Sequence, residues 1–163
     1  MRISVVAVGR ARAAPEQMLC DLNCKRAIAL GRKLGFSQLD FLTVDTSRNN
    51  DTATRMEEEA KRLSGHIPSS AHRIALDEAG RALSSEALAK HLAALRDRGG
   101  RDLAFLIGGP DGLAASLREG ANERLAFGPQ TWPHLLVRAM LAEQIYRAFT
   151  ILSGHPYHRG RTN

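Results

Sequence analysis

Short β-branched runs and segments with helical apolar spacing take turns from one end of this 163-residue chain to the other. Arg2–Val8 (RISVVAV) is an extended, branched run. Residues 15–34 then carry Met18, Leu22, Ala29, Leu30 and Leu34 at helical spacing, with Gly35 as a stop. Residues 39–44 read as a second strand. Asn50 or Asp51 can cap a helix through ATRMEEEAKRL that ends at Gly65. Residues 72–76 read as a third strand, and SSEALAKHLAALRDRGG as a serine-capped helix closed by a glycine pair. The apolar run 103–107 is a fourth strand, a short helix falls near 113–120, and RLAF is a fifth strand. Pro133 suits the first turn of a last helix that reaches about Leu152. Such alternation predicts an α/β fold, a parallel sheet covered by helices on both faces. The connections are short and nothing repeats, so residues 1–163 are expected to form a single domain.

The charged share of 25% and hydrophobic share of 44% are those of a soluble globular chain, and no stretch approaches the ~20 apolar residues of a membrane span. The first apolar run is too short and too branched for a signal sequence, which predicts a cytoplasmic protein. Cys20 and Cys24 share one helix face and read as two reduced thiols. A closed metal site would need partners that the nearby sequence lacks, so no metal is expected. The net charge of +6 favours an anionic partner such as nucleic acid. Its basic residues are dispersed as arginines, which points to a folded patch rather than a basic arm.

The last helix is apolar almost all the way round: Leu136, Val137, Ala139, Met140, Leu141, Ile145, Tyr146, Ala148 and Phe149 surround its axis. His134 and Arg138 lie on one side, with Glu143 and Arg147 nearly opposite. Such a helix must be buried on more than one face. Two readings follow, a central core helix in a monomer and a helix that lends one face to a homodimer.

Dinucleotide loops, P-loops, nucleophile elbows and His-Glu-x-x-His pairs are all missing. What stands out is FLIGGPDG at 105–112, an apolar strand that runs straight into glycines. Gly108 and Gly109 allow another group to approach the backbone closely. Ligands of open α/β sheets bind beyond the carboxyl ends of strands. The strand ends at Leu76 and at Phe127 resemble this one. Together the three loops predict a pocket of backbone groups and apolar side chains, including Leu76, Leu106 and Trp132, that suits an adenine ring and a thioether.

The chain closes on HPYHRGRTN, two histidines, a tyrosine and two arginines in nine residues. LIGGPDG, then PHLLVRAMLAEQIYRAF, then HPYHR, with VAVG near the start and ALDEAGRALSSEALA between, resembles the ribosomal RNA large-subunit methyltransferase H family of the SPOUT class. The resemblance spans the whole chain. It implies S-adenosyl-L-methionine (S-adenosylmethionine) as cofactor, a SPOUT-type sheet with a C-terminal deep trefoil knot, and a homodimer with its site near the subunit boundary. The implied substrate is 23S rRNA, methylated at N3 of a pseudouridine and met within the assembled ribosome. The family's cofactor contacts fall on Leu76, Gly109, Phe127, Gly128, Pro129, Gln130, Thr131 and Trp132. The run before Pro133 is usually rich in Ser and Leu, whereas here it reads FGPQTW, and the tail runs several residues beyond the usual ending.

On this resemblance His158, Tyr157 and Arg147 carry the chemistry. An imide N–H is a weak nucleophile until its proton leaves, so a histidine, His155 or His158, suits proton transfer. Tyr157 suits stacking on a base, and Arg147 suits an anionic oxygen or a phosphate. A plainer reading pairs Arg147 with Glu143 four residues earlier and gives the tail's charges to the helix dipole or to phosphates. Rival functions are a non-catalytic ribosome-binding or assembly factor, and an α/β enzyme for another adenine-containing cofactor.

Overall fold

The computed structural model of the chain describes residues 1–10 and 14–158, without the His158 side chain. Its strands are β1 (Arg2–Val8), β2 (Gln38–Val44), β3 (His72–Ala82), β4 (Asp102–Ile107) and β5 (Glu123–Ala126). They form one sheet in the order β2-β1-β4-β3-β5, and every pairing is parallel. The intervening helices are α1 (Pro15–Gly31), α2 (Thr52–Ser64), α3 (Ser85–Asp97), α4 (Ala115–Glu119) and α5 (His134–Leu152).

Alternation along each strand sends side chains to two separate cores. Ile3, Val5, Ile74, Leu103, Phe105 and Leu125 meet α1, α3 and α5 on one face. Val6, Val8, Ala75, Ala104 and Leu106 meet α2 and α4 on the other. Central strands buried on both faces explain why 103–107 is apolar without a break. The caps are those the sequence signals: the Asp51 carboxylate accepts from the Thr54 N–H at 2.8 Å, and Ser84 Oγ from the Ala87 N–H at 3.1 Å. Among the described residues no helix is long and apolar enough to cross a membrane.

Three differences from the sequence reading matter. The first helix stops at Gly31, and Arg32–Leu34 tighten into a 3-10 turn before Gly35. The third strand does not end at Leu76. Pairing with β5 breaks there, residues 77–80 bulge out, and the strand resumes at Arg81. A Cβ on Gly80 would lie 2.7 Å from the backbone of Arg124 and Leu125, so only glycine lets the bulge close against β5.

The third concerns α5. None of its residues is exposed in the single chain, because α1 and α3 pack along it over the sheet. The apolar circumference is therefore largely satisfied within one subunit and does not by itself demand a second. Arg138, placed by the helical wheel on a polar side, is 2% exposed, and its Nη2 donates to the Val8 carbonyl.

Candidate active site

Three strand ends open into one cavity of about 760 Å3, within the range of small-molecule sites. Leu76 and the bulge residues Asp77, Glu78 and Ala79 form one wall. Ile107 and the Gly108–Gly112 turn form the floor, and the loop after β5 forms the roof. Leu76, Gly109, Phe127, Gly128, Gln130, Thr131 and Trp132 all line it. Pro129, also assigned to the cofactor, is exposed and does not line it, because the chain turns outward beside Gly128. Sequence reasoning missed His134 and Val137 from the first turn of α5, and the bulge carboxylates. The signal for the former pair was their place in the first turn of α5, directly after the loop that follows β5.

Local bonds hold the roof. The Trp132 indole N–H donates to the Phe127 carbonyl at 3.2 Å, which closes the loop on itself. Thr131 Oγ1 donates to Glu78 at 2.9 Å and ties the loop to the bulge. Gly128 has φ +97°, a conformation that side-chain-bearing residues rarely adopt.

Both glycines, Gly108 and Gly109, line the cavity, but the room beside their missing side chains is taken by the chain itself. The close approach at Gly108 is made by the loop itself: a Cβ there would lie 2.2 Å from the Gly112 backbone. A Cβ on Gly109 would point away from the cavity, 3.0 Å from Val8 Cγ1 and 3.3 Å from Glu59 Oε2. Gly109→Val should therefore act on the fold, lowering stability by about 1–3 kcal/mol through overpacking. Thermal melting checks this, and a variant as stable as the parent that fails only in ligand binding would contradict it.

The residues present fit S-adenosylmethionine. Leu76, Ile107, Phe127 and Val137 offer apolar faces to an adenine, and Asp77, Glu78 and Asp111 put negative charge near a cationic ligand. Two of these carboxylates are already engaged: Asp111 with Arg55 at 2.7 Å and Asp77 with Arg118 at 3.6 Å. Glu78 has Thr131 and no cationic partner among the described residues.

His134 stands where this cavity meets the end of β1, its Nε2 3.5 Å from the position of a Gly9 Cβ. Burial and the neighbouring Arg138 guanidinium lower its pKa below the ordinary value. A folded pKa below the unfolded one stabilises the fold above the unfolded value, about 6.5, and that contribution fades as pH falls through the folded value. His134→Asn should then flatten the loss of stability seen on acidification below about pH 6.5. Denaturant midpoints measured across that range decide it.

The catalytic candidates lie elsewhere. Tyr157 sits in the Pro156–His158 turn, and its hydroxyl donates to Glu143 Oε1 at 3.0 Å. The same oxygen accepts from Arg147 Nη2 at 2.8 Å, so the plain i,i+4 pair is present. The Arg147 guanidinium stands 5.0 Å from the centre of the Tyr157 ring, and Tyr146 packs against that ring at 4.9 Å. Burial and the Glu143 carboxylate raise the Tyr157 pKa, so its phenol keeps its proton. Arg159 and the residues after it lie outside the described residues. The structure thus brings Tyr157 and Arg147 together but not to the cavity of their own chain. Along α5, the thirteen residue steps from His134 to Arg147 span roughly 20 Å.

Cys20 and Cys24 are both free, with sulfurs 4.0 Å apart on one face of α1. A second hollow of about 920 Å3 lies at the ends of β1 and β2, lined by Arg10, Thr46, Arg48, Arg62 and His66 among others, and by none of the expected cofactor residues.

The family described as predicted SPOUT methyltransferase matches residues 1–158. The ribosomal RNA large subunit methyltransferase H of Bradyrhizobium diazoefficiens is 50% identical over 98% of this chain and 99% of its own length. That of Afipia carboxidovorans is 52% identical over the same shares. A solved structure, of a probable methylase family protein from Haemophilus influenzae, aligns at 12% identity with a TM-score of 0.48, covering 98% of this chain and 70% of that one. With half its residues shared along its full length, the chain belongs to the ribosomal RNA large-subunit methyltransferase H family of SPOUT methyltransferases.

Proposed function

We propose that this protein is a cytoplasmic S-adenosylmethionine-dependent methyltransferase that methylates N3 of a pseudouridine in 23S rRNA, as a homodimer on the assembled ribosome. The observation that carries the reading is the cavity at the ends of β3, β4 and β5, where seven of the eight residues expected to hold the cofactor converge. When bound, S-adenosylmethionine supplies a methyl carbon activated by its sulfonium. The chain's part is to hold the adenosyl moiety against Leu76, Phe127 and Val137 and to keep water from the reacting atoms. It must also set the target nitrogen about 3–3.5 Å from that carbon, in line. His158 is proposed to take the imide proton, Tyr157 to stack on the target base, and Arg147 to neutralise charge on a uracil oxygen.

The separation of tail and cavity supports the dimer. If the tail of one subunit serves the cavity of its partner, the distance along α5 ceases to be an obstacle. An exposed apolar strip on α1, formed by Met18, Leu19 and Leu22 beside α5, provides surface for that contact. Light scattering should give twice the 17.8 kDa chain mass. The reading includes the C-terminal knot. β5 lies at one sheet edge, yet α5 returns to pack on α1, which links the strands at the other edge, a passage consistent with threading.

The hollow at the ends of β1 and β2 is lined by Arg10, Arg48, Arg62 and His66 together with Asp45 and Glu58, which pair with Arg10 and Arg62, so Arg48 is the arginine left to meet an RNA phosphate there. Arg48 is exposed and has no ion-pair partner among the described residues. Arg48→Ala should weaken RNA binding at low salt and reduce the salt slope by about one, as loss of one phosphate contact does. The deciding experiment for the function is nucleoside analysis of 23S rRNA from cells with and without the protein. An unchanged pseudouridine methylation pattern would overturn the reading and leave a binding or assembly factor.

A further inference from the structure

The amino ends of β3 and β5 carry a side-chain group that methyl transfer does not use. His72 opens β3, Glu123 opens β5, and His91 lies midway along α3. Strand alternation turns His72 to the side of Ile74 and Glu123 to the side of Leu125, the face that α3 covers. His72 Nε2 stands 2.6 Å from Glu123 Oε1, and His91 Nε2 stands 2.9 Å from the same oxygen. The ligand atoms of all three residues lie within 4.8 Å of one another. Neither Lys nor Arg pairs with Glu123 among the described residues, and all three side chains stay partly open to water.

We propose that His72, His91 and Glu123 form a divalent-cation site, best suited to zinc, that clamps β3, α3 and β5 together. Two imidazole nitrogens and one carboxylate oxygen are a donor set zinc accepts, and three protein ligands leave a fourth position for water. Tetrahedral zinc with bonds near 2.0–2.1 Å holds its ligand atoms about 3.3 Å apart. The two Nε2–Oε1 separations must therefore open by roughly 0.4–0.7 Å, and the two Nε2 atoms, within 4.8 Å of each other, must settle near the same spacing, which partly exposed side chains permit. Without the ion, each Nε2 hydrogen donates to the carboxylate. With it, each ring carries its proton on Nδ1 and turns the Nε2 lone pair to the metal.

The position assigns the site a structural task. It lies at the amino ends of the strands, whereas the cofactor cavity lies at their carboxyl ends. β5 has only four residues, pairs with β3 alone, and leads straight into the roof of the cavity. A clamp at its start would fix the strand that positions that loop. Sequence spacing conceals the site, since Glu123 stands 51 residues from His72 and 32 from His91.

The test is titration of chelator-stripped protein with Zn2+ against a chromophoric competitor, together with the absorption spectrum of the Co2+ form. Expected are one ion per chain, tetrahedral Co2+ bands without a thiolate charge-transfer band, and a higher melting temperature with Zn2+. His91→Ala and Glu123→Gln should each weaken binding at least about tenfold and remove the thermal shift. The Cys20→Ser/Cys24→Ser double variant should bind as the parent does. Glu123→Gln keeps size and hydrogen bonding, so it serves if His91→Ala fails to fold. Absence of stoichiometric binding, a thiolate band, or undiminished affinity in the histidine and glutamate variants would overturn the site.

Discussion

Removal of every residue after Gly154 should abolish methyl transfer while leaving S-adenosylmethionine affinity nearly unchanged. The cavity is built entirely upstream of that point, from β3, β4, β5 and the first turn of α5. Tyr157 and the Pro156–His158 turn contact Glu143, Tyr146 and Arg147, far along α5 from His134. If His158 takes the imide proton and Tyr157 stacks on the target base, as proposed, their loss should cost at least about 100-fold in turnover. The geometry adds a sharper test. Gly128→Val forces a side chain onto φ +97°, so it should disorganise the loop that forms the cavity roof. Neither variant should be active alone. If the tail works on the partner's cavity, mixing the two and allowing subunits to exchange should restore activity. Random pairing makes half the dimers mixed, each with one intact site, for roughly a quarter of the parental activity per chain. Full activity of the truncated protein would remove the tail from the mechanism. A tail that acts on its own cavity would instead leave the mixture inactive.

Phe149→Ala should lower the stability of the chain by about 3–5 kcal/mol, the range for deleting a buried aromatic ring. Phe149 is 1% exposed and stacks on Phe36, with ring centres 4.6 Å apart and planes at 29°. A Cβ on Gly31 would stand 2.7 Å from its ring, so α1 ends in the one residue that lets the ring close on the helix. The ring therefore joins α5, α1 and the turn into β2 in one contact. Denaturant unfolding of the parent and variant measures the loss. A change below about 1 kcal/mol would show that the α1–α5 seam collapses easily and contributes little.

Much of the architecture is legible in local pattern. The branched runs became strands because they fill a two-faced interior, and Asp51 and Ser84 became caps because their side-chain oxygens meet N–H groups that a helix start leaves unpaired. Seven of the eight residues that the family resemblance indicates line one cavity. Where the reading missed, the cause was a partner distant in sequence. The strand at 72–76 was extended by a bulge that depends on Gly80 meeting the β5 backbone. Within GGPDG the loop closes on itself, so Gly112 takes the room beside Gly108, while the sequence-distant Val8 and Glu59 take the room beside Gly109.

The amino-acid sequence by itself determined the alternating elements, the parallel α/β class, the family and most of the cavity wall. The elements and the class follow from short-range periodicity and capping chemistry, the family from the ordered motifs that resemble it, and the cavity wall from side chains carried at the ends of single strands. Only the tertiary structure showed that α1 and α3 cover α5 over the sheet, so that none of its residues is exposed in the single chain. It alone set the Tyr157–Arg147–Glu143 group at the far end of α5 from the cavity. It alone brought His72, His91 and Glu123 to one point. These are contacts between segments tens of residues apart, and their geometry depends on how helices seat on the sheet, which no local spacing encodes.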